Sequence, residues 1–433
     1  MAFDSSQSPP SLWSFTAKPG PQTNQLEGRR VVDVAVIGGG YAGLSSALHV
    51  AQAGKSVIVL EAADIGYGGA GTNNGQVIPA LTRANPADLR QRFGEERGNR
   101  LARLVGSSAE FTFDLIRKHA IDCDAQQTGW VQPAHSPGRA TLARRRYEQW
   151  AELGADVAYL DSEQVGSLTG AAIYHGGLLA RTGGHVNPLG LVRGLAGAAL
   201  RSGAEIFTKS PVLSVTAQGD GWSLATPSGV VLAGQVVVAT DAYADKLFPA
   251  LRRSIVPVRS YQMATEPLPP DQFSQILPDG QALSDSHRDL YFFHTTTDRR
   301  IVTGGALALN FQWQSRLDRR IGERLQRVFP VLGKDVRFDY RWYGDVAITT
   351  NFLPHLHQVA PGIVTIIGYN GRGLALAAAA GRILAQAALG HDLNDLDFPL
   401  TPLSTIPFHG LVHTISRLEL LRYRWLDRQE VTV

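Results

Sequence analysis

The sequence predicts a mixed α/β fold in which a part built on a parallel sheet is interleaved with an α+β part built on a mostly antiparallel sheet. Three observations predict it. "VVDVAVIGGGYAGLSSALHV", Val31 to Val50, is a strand-like run that breaks into glycines and resumes at helical spacing. "GIVTIIGYNGRGLALAAAAGRILAQAALG", beginning at Gly362, repeats that strand–glycine–helix order near the other end of the chain. Between them, Ile255 to about Phe338 is rich in strand-like segments. At 433 residues the chain is too long for one simple core, so two closely packed parts are expected.

Taken in order, residues 1–30 hold the Pro/Ser-rich "SSQSPPSLWSFTAKPGPQ", read as an extended arm with no signal-peptide pattern. Val31 to Ile37 lacks alternation and favours β-branched residues, as a buried parallel strand does. "LSSALHVAQAG" is a small-residue helix with Gly54 as its C-cap, and "SVIVLEAA" is a second strand with Glu61 at its end. The next stretch, "AADIGYGGAGTNNGQVIPAL", is a glycine-rich loop. Further on come a helix from about Pro188 to Arg201, strands around Ile206 and Val212, and a strand running into the turn Ala239-Thr240-Asp241. The second glycine unit has a strand at Ile363 to Ile367 and a helix from about Leu374. The tail, 396–433, carries apolar residues at helical spacing with arginines between them. It is read as a helix packed on the body, with a dimer seal or a membrane surface as alternatives.

Composition excludes several classes. A net charge of +3 without a basic run argues against nucleic acid as a partner. One cysteine, Cys123, rules out an intrachain disulfide and a cysteine cluster for metal, and a reducing cytoplasm is the expected compartment. No metal site is expected. "GLALAAAAGRILAQAALG" is the most apolar stretch, but Arg382 interrupts it and it falls short of a membrane span.

The first glycine cluster has a chemical reading. Gly38, Gly40 and Gly43 match G-x-G-x-x-G between a strand and a helix, and Glu61 lies where a second strand ends. Gly38 permits the tight turn, Gly40 lets backbone approach a pyrophosphate, and Gly43 lets helix and strand pack closely. The helix N-terminus supplies unpaired amides and a positive dipole end. Glu61 can accept from ribose hydroxyls and disfavours a 2′-phosphate. A nicotinamide enzyme needs one such unit. A second helix N-terminus, at Gly368 to Gly373, suits an extended FAD, where it would stabilise negative charge on the reduced ring.

At these residues the chain resembles the FAD-dependent amine and amino-acid oxidoreductases of the D-amino-acid oxidase and glycine oxidase superfamily, nearest to the gamma-glutamylputrescine oxidoreductase branch. The resemblance rests on "SLW…TA", "VIGGGYAGLSSALHVAQAG", "GGAGTNNGQ", "HVNP…GLA…GAEI", "VVVATDAY", "IVPVRSYQMATEPL", "LPH", "GYNGRG" and "LELLRYRWLDR". It implies a Rossmann-like FAD-binding domain formed by 31–90, 180–245 and 339–395, with a substrate domain and helical insertions at 91–179 and 246–338. It also implies roles. Gly38, Gly40, Tyr41, Ala42 and Gly43 form the dinucleotide turn, and Glu61 and Ala62 meet the adenosine ribose. Ala70, Gly71, Thr72, Asn73, Asn74, Gly75 and Gln76 lie along the pyrophosphate and flavin. Val212, Ala239 and Thr240 flank the adenine nucleotide, while Gly344, Leu353, Gly368, Gly371, Arg372, Gly373 and Leu374 surround the pyrimidine end. Cys123 matches no attachment position, so FAD is expected to bind non-covalently.

Three departures from the family pattern bear on function. Thr72 stands for an arginine and Asn74 for a glycine in the "GRNGGQ" loop, which implies an altered path over the flavin. His294 stands where an arginine is common, and Arg372 stands for the histidine of "GYSGHG". His294 is either an acid–base group or a hydrogen-bonded histidine without a chemical role. Arg372 is expected to stabilise reduced flavin or to bind a substrate carboxylate. Both are catalytic candidates. Tyr261 and Tyr291 are either pocket or core, and Trp342 and Tyr343 are read as packing.

The implied reaction is oxidation of a primary or secondary amine, a polyamine conjugate or an N-alkyl amino acid. Hydride passes to flavin N5 and the resulting imine hydrolyses. The electron acceptor is O2 or a quinone or carrier. The alternatives are a D-amino-acid-type dehydrogenase, a flavin-binding protein without turnover and, more remotely, a nicotinamide dehydrogenase. Oligomeric state is left open.

Overall fold

Two eight-stranded sheets organise the chain. The computed structural model describes residues 9–244, 246–308 and 311–431. The first sheet runs His355–Ala360, Ile363–Ile367, Gly229–Val238, Gly28–Ile37, Val57–Leu60, Glu205–Phe207, and the hairpin Ser214–Gln218/Gly221–Ala225 extends from Gly229–Val238. Its central pairings are parallel. Of the run Val31 to Ile37, read as buried throughout, Val34 to Ile37 are buried while Val31 is 71% exposed and Asp33 is exposed. The reason is that the strand begins at Gly28 and enters the core only in its second half. Val34, Val36 and Ile37 each contribute about 1.5–3 kcal/mol.

Helices Tyr41–Gln52 and Gly373–Ala388 meet on one face of this sheet. Small residues make the approach possible. A Cβ on Gly381 would lie 2.6 Å from the Ala42 carbonyl oxygen, and Ser45 Oγ donates to the Ala378 carbonyl at 2.7 Å. The two glycine turns are therefore fixed relative to each other by their own helices.

The second sheet runs Phe338–Ile348, Val256–Thr265, Ile301–Gly305, Phe292–Thr295, Ala282–Ser284, Trp130–Pro133, Gly177–Ala180, Val157–Leu160. All its pairings but Ala282–Ser284 with Trp130–Pro133 are antiparallel. Helix Trp313–Val328 buries Leu317, Ile321 and Leu325 in the same core as Tyr261 and Phe293.

Four local expectations differ from what is observed. The N-terminal arm is not simply extended: Leu12–Thr16 is a short helix capped by Ser11, and it buries Leu12 and Trp13. Val212 lies in coil, because the chain makes a left-handed turn at Lys209 and enters its strand only at Ser214. Phe338–Ile348 pairs with Val256–Thr265 in the second sheet, although most of it lies in the expected cofactor-binding segment 339–395. The loop after Glu61 contains a helical turn, Gly69–Thr72, and a two-residue strand, Gln76–Val77. The tail helix spans His409–Val431 and packs on the body. Among the described residues no helix is long and apolar enough to cross a membrane.

Candidate functional site

Strand Gly28–Ile37 ends at Gly38, whose φ of +109° opens the first turn. A Cβ there would lie 2.7 Å from the Ala239 carbonyl oxygen, and one on Gly43 would lie 2.0 Å from the Gly38 carbonyl oxygen. Both positions exclude any side chain. Helix Tyr41–Gln52 has Gly40 as its N-cap without a side-chain cap, so the first-turn amides of Tyr41, Ala42 and Gly43 have no helical acceptor. Glu61 sits opposite: its Oε2 accepts from the Gly39 N–H at 2.7 Å and its Oε1 from the Ala63 N–H at 2.9 Å. Burial raises the Glu61 pKa, and those amides oppose the rise. Ala62 follows directly. Ala239 and Thr240 close the neighbouring edge, with the Ala239 N–H donating to Ile37 at 2.8 Å. Val212 lies two residues beyond Ser210, whose N–H donates to the Glu61 carbonyl. These groups converge around one mouth.

The segment from Ala70 to Gln76 crosses from this mouth to the second sheet. Tyr41 Oη contacts the Ala70 carbonyl at 2.7 Å, and the Asn73 side-chain amide donates to the same carbonyl at 2.9 Å. Gly71 is buried, and a Cβ on Gly344 would lie 2.4 Å from Thr72 Oγ1, so strand and segment touch there. Asn73 and Asn74 fold their side chains back, accepting from the N–H groups of Gly75 and Gln76 at 2.8 and 2.9 Å. Gln76 is buried and donates to Leu283 and Phe293 carbonyls at 2.9 and 3.1 Å. Its amide is thereby spent on the second sheet.

The second turn, Gly368 to Gly373, is joined to the first mouth by Asp241, whose Oδ1 accepts from the Gly368 N–H at 2.8 Å. Burial pushes the Asp241 pKa up to about 6. Gly368 and Gly371 take φ of +83° and +81°. Leu353 and Leu374 are buried beside this turn, with Thr349 Oγ1 donating to the Leu353 carbonyl at 2.8 Å. Arg372 is the N-cap of helix Gly373–Ala388, again without a side-chain cap. Its residue is 5% exposed, its guanidinium lies 4.8 Å over the Trp130 ring, and its Nη1 has no hydrogen-bond partner. Burial, with Arg146 nearby, pushes its pKa down to about 9.

Arg372 lines a cavity of about 1050 Å³ between the second sheet, this turn and the tail helix. Arg83, Arg139, Arg145, Arg146, Arg259 and Arg288 line it too, against Asp285 and Glu419. Arg146 and Arg372 have no carboxylate partner among the described residues; Arg146 donates to Asn85 and Gln132 instead. The tail helix is anchored above by Arg139 with Glu430, Arg288 with Asp427 and Arg424 with Asp289. His135, Asp427 and Glu430 lie close together, but arginines already neutralise both carboxylates.

His294 is not among the residues lining this cavity. It is buried in strand Phe292–Thr295, with Nε2 2.6 Å from the Asn74 carbonyl and Nδ1 3.0 Å from that of Thr295. Burial pushes its pKa down to about 4. That arrangement corresponds to the hydrogen-bonded histidine. Tyr261 is in the core; Tyr291 stacks on His287 and under Arg324. Sequence reasoning did not single out Arg146, Asp241 or Trp13. Trp13 and Asp241 stood inside quoted motifs, whereas Arg146 carries no motif at all.

Two uncapped helix N-termini, the Glu61 carboxylate beside the first and an unpartnered buried guanidinium at the second fit an extended dinucleotide. Comparison with known proteins agrees. The profile of the DAO family, described as FAD dependent oxidoreductase, matches residues 33–387. Gamma-glutamylputrescine oxidoreductase of Escherichia coli (strain K12) is 31% identical over 360 residues, covering 83% of this chain and 84% of that protein. A probable oxidoreductase, OrdL, of Haemophilus influenzae is 32% identical over 387 residues, covering 86% and 85%. The crystal structure of glycine oxidase from Geobacillus kaustophilus superposes with a TM-score of 0.70 at 20% identity, covering 86% of this chain and 99% of that one, which shows a shared fold.

Proposed function

From the premise that this chain belongs to the DAO family of FAD dependent oxidoreductases, we propose that it oxidises a primary or secondary amine that also bears a carboxylate. A polyamine conjugate or an N-alkyl amino acid meets that description. When bound, FAD supplies the oxidant that takes a hydride from the carbon next to nitrogen. The chain's own residues do the rest. Glu61 holds the ribose, and the amides of Tyr41, Ala42 and Gly43 hold the pyrophosphate. Arg372, with Arg146 behind it, binds the substrate carboxylate and aims the amine.

One observation carries this reading: a buried guanidinium without a counter-ion, facing a cavity that is rich in arginine. An uncompensated buried charge is costly, and an anionic ligand removes the cost. Removing the amine's hydration and fixing its C–H bond are the tasks left to the cavity walls, so no paired-carboxylate machinery is needed.

Cys123 supports non-covalent FAD, since burial pushes its thiol up to about 12 and leaves it a poor nucleophile. The electron acceptor is O2 or a quinone or carrier, and the compartment is the cytoplasm, on the strength of the single cysteine. The test is anaerobic bleaching of the flavin absorbance by polyamines, gamma-glutamyl-polyamines, N-methyl amino acids and D-amino acids, followed by air. Bleaching by a carboxylate-bearing class supports the reading, and reoxidation by air identifies O2 as the acceptor. A flavin that no amine bleaches would overturn it.

A further inference from the structure

Three successive carbonyls between the two sheets are each met by a ring nitrogen from a different element. Trp342 Nε1 donates to the Thr72 carbonyl at 2.9 Å, from the buried face of strand Phe338–Ile348. Trp13 Nε1 donates to the Asn73 carbonyl at 2.9 Å, from the short N-terminal helix. His294 Nε2 lies 2.6 Å from the Asn74 carbonyl, from strand Phe292–Thr295. The three rings also hold one another. Trp13 stacks on His294 with centroids 6.1 Å apart and meets Trp342 edge-on at 5.8 Å, and His185 also stacks on His294 at 4.4 Å.

A trans peptide points its N–H opposite to its carbonyl. The peptide whose carbonyl Trp13 engages therefore turns the Asn74 N–H the other way, and among the described residues that N–H has no acceptor. The next amide, Gly75 N–H, is already taken by Asn73 Oδ1 at 2.8 Å. One backbone donor is left facing away from the rings.

We infer that Trp342, Trp13 and His294 form a ring clamp that holds residues 72–74 with their carbonyls turned from the cofactor and presents the Asn74 N–H to the flavin. The three are positioning residues, and none touches the reacting atoms. The clamp gives His294 a task that fits its place outside the cavity. Both ring nitrogens face carbonyls, and the proton is assigned to Nε2, which makes the shorter contact. It also makes the N-terminal helix part of the cofactor site, since Trp13 is 3% exposed and donates across 60 residues of sequence.

This inference rests on the cofactor lying along Ala70 to Gln76, and Glu61→Ala is the control for that placement. The variants are Trp13→Phe, Trp342→Phe and His294→Phe, which keep a ring but lose the N–H, and His294→Gln, which keeps a donor. FAD affinity is read by fluorescence titration of each apoprotein, beside the bound flavin's visible spectrum, its reduction potential and the apoprotein Tm. Each lost N–H should weaken FAD about five-fold, the worth of roughly one hydrogen bond, and shift the spectrum and potential. His294→Gln should restore much of both. If Glu61→Ala weakens FAD while the ring variants keep wild-type affinity, spectrum and potential and only lower the apoprotein Tm, the clamp is merely structural and the inference falls. If Glu61→Ala also leaves FAD affinity unchanged, the placement beneath it falls first.

Discussion

The two glycine turns use one local device for different ends. Each follows a strand of the same sheet and opens an uncapped helix; the first bends at one glycine of positive φ, Gly38, and the second at two, Gly368 and Gly371. The turn at Gly38 is faced by a carboxylate, Glu61, held by two backbone amides. The turn at Gly368 is faced by a carboxylate too, Asp241, but it also carries a guanidinium, Arg372, buried without a counter-ion. Backbone and an acid suffice for a group whose charge is constant, such as a pyrophosphate next to ribose. A fixed buried cation suits a place where negative charge arrives or develops. In the function proposed above, the first turn holds the cofactor and the second handles the substrate.

The comparison breaks most severely at Gly43→Ala. Its new Cβ would lie 2.0 Å from the Gly38 carbonyl oxygen, so helix and strand must part. Overpacking of this kind costs about 1–3 kcal/mol or more, and thermal unfolding together with bound-FAD content should both fall. Gly371→Ala, with only an ordinary contact at 4.0 Å but a φ of +81°, should cost about 1 kcal/mol through backbone strain and retain FAD.

Next in size is Arg372→Met. Losing a charge-assisted contact to substrate should cost about 1.5–3 kcal/mol in kcat/KM, read as a raised KM for carboxylate-bearing amines. The apoprotein should become as stable as wild type or more so, because an unpaired buried charge is gone. A loss of apoprotein stability would mean that Arg372 is structural. Glu61→Ala should do the reverse, weakening FAD about ten- to a hundred-fold, as expected for losing hydrogen bonds to a charged group, while leaving KM of the FAD-saturated enzyme near its wild-type value.

A pH-dependent effect concerns Asp241. Its folded pKa, about 6, lies above its unfolded value near 3.8, so the native state binds the extra proton between those values. Its contribution to stability is therefore lost as pH rises from about 4 to about 6. His135, His294 and His355, each pushed down to about 4 by burial, give the opposite slope up to about 6.5. The difference between wild type and Asp241→Asn isolates the carboxyl: Asp241→Asn should gain relative stability from pH 4 to 6, measured as Tm against pH. A flat difference would contradict the shift.

Legibility in the sequence follows physical locality. Strand, glycine turn, helix and terminal acid lie within 31 residues from Val31 to Glu61, and each has a local cause, so that unit is readable from the chain alone. The second turn is readable for the same reason. The strand Phe338–Ile348 is less so, because β-pairing with Val256–Thr265 is long-range and neither sequence names its sheet. The roles of the ring residues are the least legible. Trp13 reads as part of a Pro/Ser-rich arm, yet its N–H finds Asn73, and His294 reads as an acid–base candidate, yet both its nitrogens face backbone. Arg146 reaches the cavity from a helix, Pro137–Glu152, whose composition suggests only a solvated face.

The central claim is that Arg372 selects an amine by its carboxylate. Stopped-flow anaerobic bleaching with paired amines, identical but for the carboxylate, tests it most directly in wild type and Arg372→Met. The account predicts rapid bleaching of the wild type by the carboxylated partner only, with that preference abolished in Arg372→Met. Equal bleaching of the wild type by both partners, or an undiminished preference in Arg372→Met, would contradict it.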